Sequence, residues 1–302
     1  MPRAFILLLA FLVSSGAPTV RPDARLMAAT GPGDGPSPKS STATAKPVAA
    51  TSPDIPFSDD ESKAELQLLI MANQSRQEIG APPLTLDAGL SRAALVHAHK
   101  MLDERQLSHQ FPGETSLSQR LASTTGLQLD QAGENVALDY SAEGGHQHLM
   151  LSPPHRANLL NPDYNVVGMG VVRSGDRLYI VQDFGHALPH YSVDEVKERI
   201  AAEVNQQRRA ANLSALPRQD LSVADSAACS MTQADKLGTS PIQQLAVRYT
   251  VLSYNTLHPE TLPVESEQAI ASRNLRSFSV GVCYGRTETY PTGAYWVVLT
   301  LD

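Results

Sequence analysis

Val166-Val-Gly-Met-Gly-Val-Val172, then Arg173-Ser-Gly-Asp-Arg177, then Leu178-Tyr-Ile-Val-Gln-Asp-Phe184 is the stretch on which the fold turns. Two apolar runs rich in β-branched and aromatic residues flank a Ser-Gly-Asp turn, which is the pattern of an antiparallel hairpin. Upstream of it the apolar period lengthens to that of a helix. Ser58-Asp-Asp-Glu61 has the form of an N-cap with a glutamate three residues on, followed by Leu66, Leu69, Ile70 and Ala72 and closed by Gly80 with Pro82-Pro83. Asp87 then caps a second expected helix, with Leu90, Ala93, Ala94, His97 and Met101 along one stripe. A polar stretch from Gln106 to Gly133 carries a short helix near Leu117–Ser123. A third helix is expected over Ala142–Leu151, stopped by Pro153-Pro154. Helices first and a hairpin last predict an α+β fold rather than a doubly wound sheet.

After His190 the pattern begins again. Asn205-Gln-Gln-Arg208 and Leu221-Ser-Val-Ala224 echo Asn73-Gln-Ser-Arg76 and Leu90-Ser-Arg-Ala93, at offsets of 132 and 131 residues. Phe278-Ser-Val-Gly281, with Tyr295-Trp-Val-Val-Leu-Thr300, echoes the hairpin of the first unit. The second unit is about twenty residues shorter and reads as a degenerate, truncated repeat.

The chain has 302 residues, 42% hydrophobic, with a formal net charge of −7; there is no basic stripe of the kind a nucleic-acid partner requires. Met1-Pro-Arg3 followed by the apolar run Ala4 to Val13 and the small residues Ser14 to Ala17 reads as a secretory signal peptide over 1–17, too short to span a bilayer. Residues 18–56 hold eight of the 21 prolines amid Ala, Ser and Thr and few large apolar side chains. Such a segment cannot bury enough surface to offset its chain entropy, and it reads as a disordered linker. Folded units are expected over 58–188 and 192–302. An exported chain, extracellular or periplasmic, with no span left after signal removal is expected to bridge its only two cysteines, Cys229 and Cys283. The repeat places them on adjoining elements, a helix and the first hairpin strand.

Three motifs in the first unit narrow the reading: Ser108-His109; Ala132-Gly-Glu134-Asn-Val-Ala137; and Ser152-Pro-Pro-His155-Arg156-Ala-Asn158-Leu-Leu-Asn161. In this order they resemble the CAP superfamily (cysteine-rich secretory, antigen 5 and pathogenesis-related proteins), and its bacterial secreted branch above all. The resemblance covers about residues 63–186. It implies an α–β–α sandwich and a cavity lined by two histidines and two glutamates. By motif position His109, Glu134 and His155 take three of those places. The second glutamate's place falls on Ser152, three residues after Leu149, where the family carries an aromatic. The second unit lacks all three motifs, and counting from Gly281 puts Gln268 at the place of His155.

Two imidazoles and one carboxylate in a solvent-open cavity suit Zn²⁺ or another divalent ion, so His109, Glu134 and His155 are the expected metal ligands. The same groups without metal form a polar cluster that fixes loops. Ala132-Gly-Glu134-Asn is expected to set its carboxylate on a turn. Ser152 as a nucleophile beside His155 is conceivable, yet no nucleophile-elbow motif accompanies it. His97, on the apolar stripe, is expected as a core histidine; Glu143, His146 and His148 as surface residues; and Arg156 as the partner of an acid under the cavity. Loop backbone groups are the expected targets of Asn135, Asn158 and Asn161. These features favour a non-enzymatic binding module for an apolar ligand, a cell-envelope component or a protein. A metal-dependent, peptidase-like hydrolase using His109, Glu134 and His155 is the alternative, and a purely structural interaction protein is a third reading.

Overall fold

A computed structural model of the chain describes residues 25–26 and 59–302. The expected signal peptide and the remainder of the linker lie outside the described residues. Among the described residues no helix is long and apolar enough to cross a membrane. β1 (Arg25–Leu26) is an edge pairing in the second sheet. The first unit comprises α1 (Asp59–Glu78), β2 (Thr85–Leu86), α2 (Ala88–Glu104), α3 (Leu117–Thr124), β3 (Gln128–Asp139), α4 (Ala142–Leu151), α5 (Pro153–Leu160), β4 (Val166–Ser174) and β5 (Arg177–Leu188).

Its sheet runs β2-β4-β5-β3, with β4, β5 and β3 antiparallel. Alternation along the hairpin decides which helix covers which face. Val167, Met169, Val171, Leu178, Ile180 and Phe184 pack with Leu68 of α1, Leu149 of α4 and Leu159 of α5. Val172, Tyr179 and Val181 face Ala94, Ala98 and Met101 of α2. The result is the expected α–β–α sandwich. Gly168 and Gly170 let α2 lie directly on β4: a Cβ at either would come within 2.1–2.3 Å of the Leu90 or Ala94 carbonyl carbon.

Two local expectations are corrected. Pro153-Pro154 ends α4 but also begins α5, because proline suits a first helical turn whose N–H groups have no helical acceptor. Gly133-Glu134-Asn135 lies inside β3 rather than on a turn. That segment has little strand propensity, and pairing with β5 from Gln128↔Leu188 to Asp139↔Leu178 makes it a strand.

Beyond its short pairing with β2, the outer edge of β4 is closed by side chains. Ser91 Oγ, Glu65 Oε1 and Glu61 Oε1 accept from the N–H groups of Met169, Val171 and Arg173 at 3.2, 3.2 and 2.7 Å. Burial pushes the Glu65 carboxyl up from 4.5 to about 7, against the pull of the Val171 N–H and with a small push from Glu61. A folded pKa above the unfolded one stabilises fully below about pH 4.5, and that stability is lost as pH rises through about 7. Glu65→Gln is therefore expected to raise the thermal midpoint at pH 8 and change it little at pH 5. Allowing for partial exposure, the gain is about 1 kcal/mol. A midpoint difference that does not vary with pH would show that Glu65 ionises normally.

The second unit comprises α6 (Val193–Ala210), α7 (Ser222–Ala234), α8 (Ser240–Ala246), β6 (Thr250–Thr256), α9 (Ser266–Ile270), β7 (Phe278–Gly285) and β8 (Ala294–Leu301). Its sheet runs β1-β6-β8-β7. α6 covers one face through Val196, Ile200 and Val204, and α7 with α8 the other, where Trp296 and Val298 are buried. Cys229 of α7 and Cys283 of β7 are bonded as expected, with Cα atoms 5.0 Å apart.

Several contacts recur between the units. Asn73 exchanges two hydrogen bonds with the Leu84 backbone, and Asn205 does the same with Leu216. Arg76 donates to Leu159 O and Asn161 O; Arg208 donates to Ile270 O and Ser272 O. These acceptors are 111 residues apart, as are Gly170 and Gly281, each pressed against a helix backbone. That offset puts Ser266, rather than Gln268, at the place of His155. On the helices, Ala94, His97, Ala98 and Met101 correspond to Ala224, Ala227, Ala228 and Met231, an offset of 130 rather than 131.

Candidate functional site

Three elements bring charge to one place. α2 supplies His97, the segment from Ser108 to α3 supplies His109, Glu114 and Arg120, and β3 supplies Glu134. His109 Nδ1 lies 2.8 Å from Glu134 Oε1. Arg120 Nη2 donates to Glu134 Oε2, while Arg120 Nη1 donates to the His109 carbonyl at 3.2 Å and lies 3.4 Å from Glu114 Oε1. His97 is a core histidine as expected, with Nδ1 2.7 Å from Glu114 Oε1 and Nε2 2.8 Å from the Ser108 carbonyl oxygen. Its Nε2 also stands 3.8 Å from Glu134 Oε2. Burial alone would push the Glu134 carboxyl up, but the His109 hydrogen bond and the charges of Arg120 and His97 together hold it below the usual carboxylate range.

His155 reaches the same place from the opposite layer, at the outer edge of β3. Its ring centroid is 6.4 Å from that of His109, close enough for the two histidines to share one centre. The Asn135 side chain donates to the His155 carbonyl at 3.1 Å, and Asn158 donates to the Glu134 carbonyl at 3.2 Å, so these asparagines hold backbone as expected. The Asn161 side chain accepts from Asp163 N–H at 3.0 Å in the same way. His109, Glu134 and His155 therefore meet. Glu134 is 4% exposed and His155 1%, while His109 is half-buried.

The second carboxylate comes from a place that motif counting passed over. Asp183 of β5 stands directly opposite Glu134 in the strand register, fully buried, and neither of its oxygens receives a hydrogen bond. Burial, then the negative charge of Glu134, push its carboxyl well above the ordinary value, with Arg120 pulling back only in part. Both effects favour the protonated form of Asp183 beside the Glu134 carboxylate. The Gln-Asp-Phe of the hairpin carried a signal for it: a charged residue inside an otherwise buried strand. Ser152 sits instead at the junction of α4 and α5, where its backbone N–H reaches His148 O and Leu149 O and its hydroxyl caps nothing.

Three further expectations change. The cation beside the buried acid is Arg120 of α3, while Arg156 is exposed. His146 is buried rather than on the surface, with Nε2 3.1 Å from Ser75 Oγ, and burial pushes its imidazole down. His148 packs against Asp139 with Nδ1 2.5 Å from Oδ2. As arranged, Glu134 is not free to ligate a first-row metal ion alongside His109 and His155. Both Glu134 oxygens are taken, one by His109 and one by the guanidinium of Arg120, which a dication would have to displace. Among the described residues no three His, Cys, Asp or Glu side chains stand as a metal-holding set.

Residues 69–184 match the model of the cysteine-rich secretory protein family, CAP. The chain is 34% identical over 115 residues to the uncharacterized protein YkwD of Bacillus subtilis, covering 38% of this chain and 44% of that one. It is 32% identical over 125 residues to the uncharacterized membrane protein YlbC of the same organism, covering 41% and 35%. It thus spans less than half the length of the curated relatives it matches. A solved extracellular SCP-domain protein from Bacillus anthracis aligns over 44% of this chain and 45% of that chain, at 28% identity and a TM-score of 0.39. With the Ser-His, Gly-Glu-Asn and Pro-His-Arg motifs meeting at one place in a sandwich, residues 69–184 are a domain of the cysteine-rich secretory protein (CAP) family.

Proposed function

We propose that this protein is an exported, non-enzymatic CAP module that binds a cell-envelope component or a protein partner through its outer surface. The observation that carries the reading is the closed state of the cluster. Glu134 is engaged by His109 and Arg120, and burial favours the protonated form of Asp183, so neither carboxylate is free to act as a general base. The same closure disfavours an apolar ligand enclosed among these groups. Export is supported by the apolar run Ala4 to Val13 and by the Cys229–Cys283 bond, which persists in an oxidising compartment. The recurrent Asn and Arg contacts support reading the second unit as a degenerate copy that has kept the scaffold and lost the site. Where the first unit carries Glu134 and Asp183, the strand registers of the second place Val251 and Thr300.

The test is metal analysis and turnover on protein purified without added metal, beside saturable co-sedimentation with isolated cell envelopes. Co-sedimentation unchanged in His109→Ala/His155→Ala protein, without stoichiometric metal, is the expected result. Metal-dependent peptide hydrolysis that disappears in that variant would overturn the proposal in favour of the hydrolase.

A further inference from the structure

The second unit grips the segment of the first that carries the charge cluster. Arg286 donates to the carbonyls of Ala122 and Thr125, at the end of α3, at 2.7 and 2.9 Å. Thr292 donates to Leu129 O at 3.0 Å and accepts from Leu129 N at 3.2 Å, and the Gln128 side chain donates to Gly293 O at 3.4 Å. Arg120 and Glu134 belong to this same run of chain, from α3 into β3.

One contact in this junction has a protonation requirement written into its geometry. The register of β3 against β5 shifts between Leu129 and Gln131, leaving Asp130 as the extra residue of a bulge. A bulge re-aims the side chain it carries. Asp130 Oδ1 meets His186 Nδ1 of β5 at 2.7 Å, and Oδ2 meets His258 Nε2 of the second unit at 3.3 Å. The other ring nitrogen of His258, Nδ1, lies 3.3 Å from Glu260 Oε1. A neutral imidazole carries one N–H; both nitrogens can donate to carboxylates only when the ring is an imidazolium.

We propose that the second unit clamps the α3–β3 segment through a proton-dependent bridge, Asp130–His258–Glu260, closed when His258 carries two ring protons. Loss of one proton removes one of its two donations and the charge attraction to both acids. The Arg286 and Thr292 contacts do not depend on it. Among the described residues, the charged and titratable groups facing His258 are Asp130 from β3 and Glu260 from its own loop, with His186 on the far side of Asp130. This role for the second unit stands or falls independently of the binding function proposed above.

The test uses the full, oxidised chain and its single tryptophan, Trp296, which is buried in the second unit and so reports that unit's unfolding. Urea unfolding is followed by fluorescence for wild type, Asp130→Asn, His258→Gln and the double variant, at pH 5.5 and 8.5. For a partly exposed bridge the expected coupling at pH 5.5 is about two- to five-fold in the unfolding constant, and it falls at pH 8.5 as the charge attraction and one donation are lost. Additivity at both pH values, or equal coupling at both, overturns the proposal. The cycle is repeated with His186→Gln in every member; loss of the coupling there would assign the proton to His186 and overturn the role of His258. Should His258→Gln fail to fold, Glu260→Gln with Asp130→Asn tests the same ring from its two ends.

Discussion

Replacing Arg76 by methionine is expected to cost the first unit about 4 kcal/mol, enough to consume much of the stability of an ordinary domain. Arg76 is fully buried and, among the described residues, forms no ion pair with a carboxylate. Its guanidinium donates instead to four carbonyls, those of Pro82 at 2.7 Å, Leu159 at 3.0 Å, Asn161 at 2.8 Å and Tyr164 at 2.8 Å. It ties the end of α1 to the end of α5 and the approach to β4, so these three segments share one donor group. Removing it takes the guanidinium from four carbonyls, and the two in buried bonds, Leu159 and Tyr164, each cost about 1–3 kcal/mol before relaxation. Arg76→Lys is expected to recover only part of the loss, because an ammonium cannot span the same fork. Circular dichroism during urea unfolding measures both variants. A change below about 1 kcal/mol for Arg76→Met would mean that water replaces the guanidinium at these carbonyls.

Arg120→Leu is expected to cost about 3–5 kcal/mol, because it strands a carboxylate inside the protein. Glu134 would keep His109 but lose the cation that offsets its burial, with Asp183 still facing it. Adding Glu134→Gln removes the stranded charge, so the double variant should be more stable than Arg120→Leu alone. If Arg120→Leu/Glu134→Gln is no better than the single variant, the guanidinium matters for packing and not for charge. The pH signs of the two acids oppose each other. Glu134, held below its unfolded value of 4.5, contributes stability above that pH, and the contribution is lost as pH falls through its folded value. Asp183, raised well above 3.8, contributes stability at acid pH that is lost as pH rises through its folded value. The stability of the first unit should therefore fall on both sides of an intermediate pH, and Asp183→Asn should flatten the alkaline side.

Local sequence carried the scaffold. The hairpin at 166–184, the capped helices and the spacing of Ser-His, Gly-Glu-Asn and Pro-His-Arg were enough for the α–β–α sandwich and for the meeting of His109, Glu134 and His155. Helical and strand periods and turn residues are short-range signals, and a motif order preserves which loops face one another. The cysteine pair was legible for the same reason, because two echoes of one pattern put Cys229 and Cys283 on neighbouring elements.

Only the tertiary structure decided the chemistry of the cluster. Arg120 sits on a helix whose sequence reads as ordinary, and Asp183 was hidden in a strand where counting from family motifs had already assigned the second carboxylate's place to Ser152. Whether a buried acid is an open ligand or a saturated ion depends on which donors lie within about 3 Å of its two oxygens. That is set by the register of β3 against β5 and by the angle at which α3 crosses them. β3 itself belongs to this class, since Gly133-Glu134-Asn135 becomes strand only because β5 supplies its hydrogen bonds. Burial and cross-strand pairing are properties of the folded whole, and neither periodicity nor spacing along the chain encodes them residue by residue.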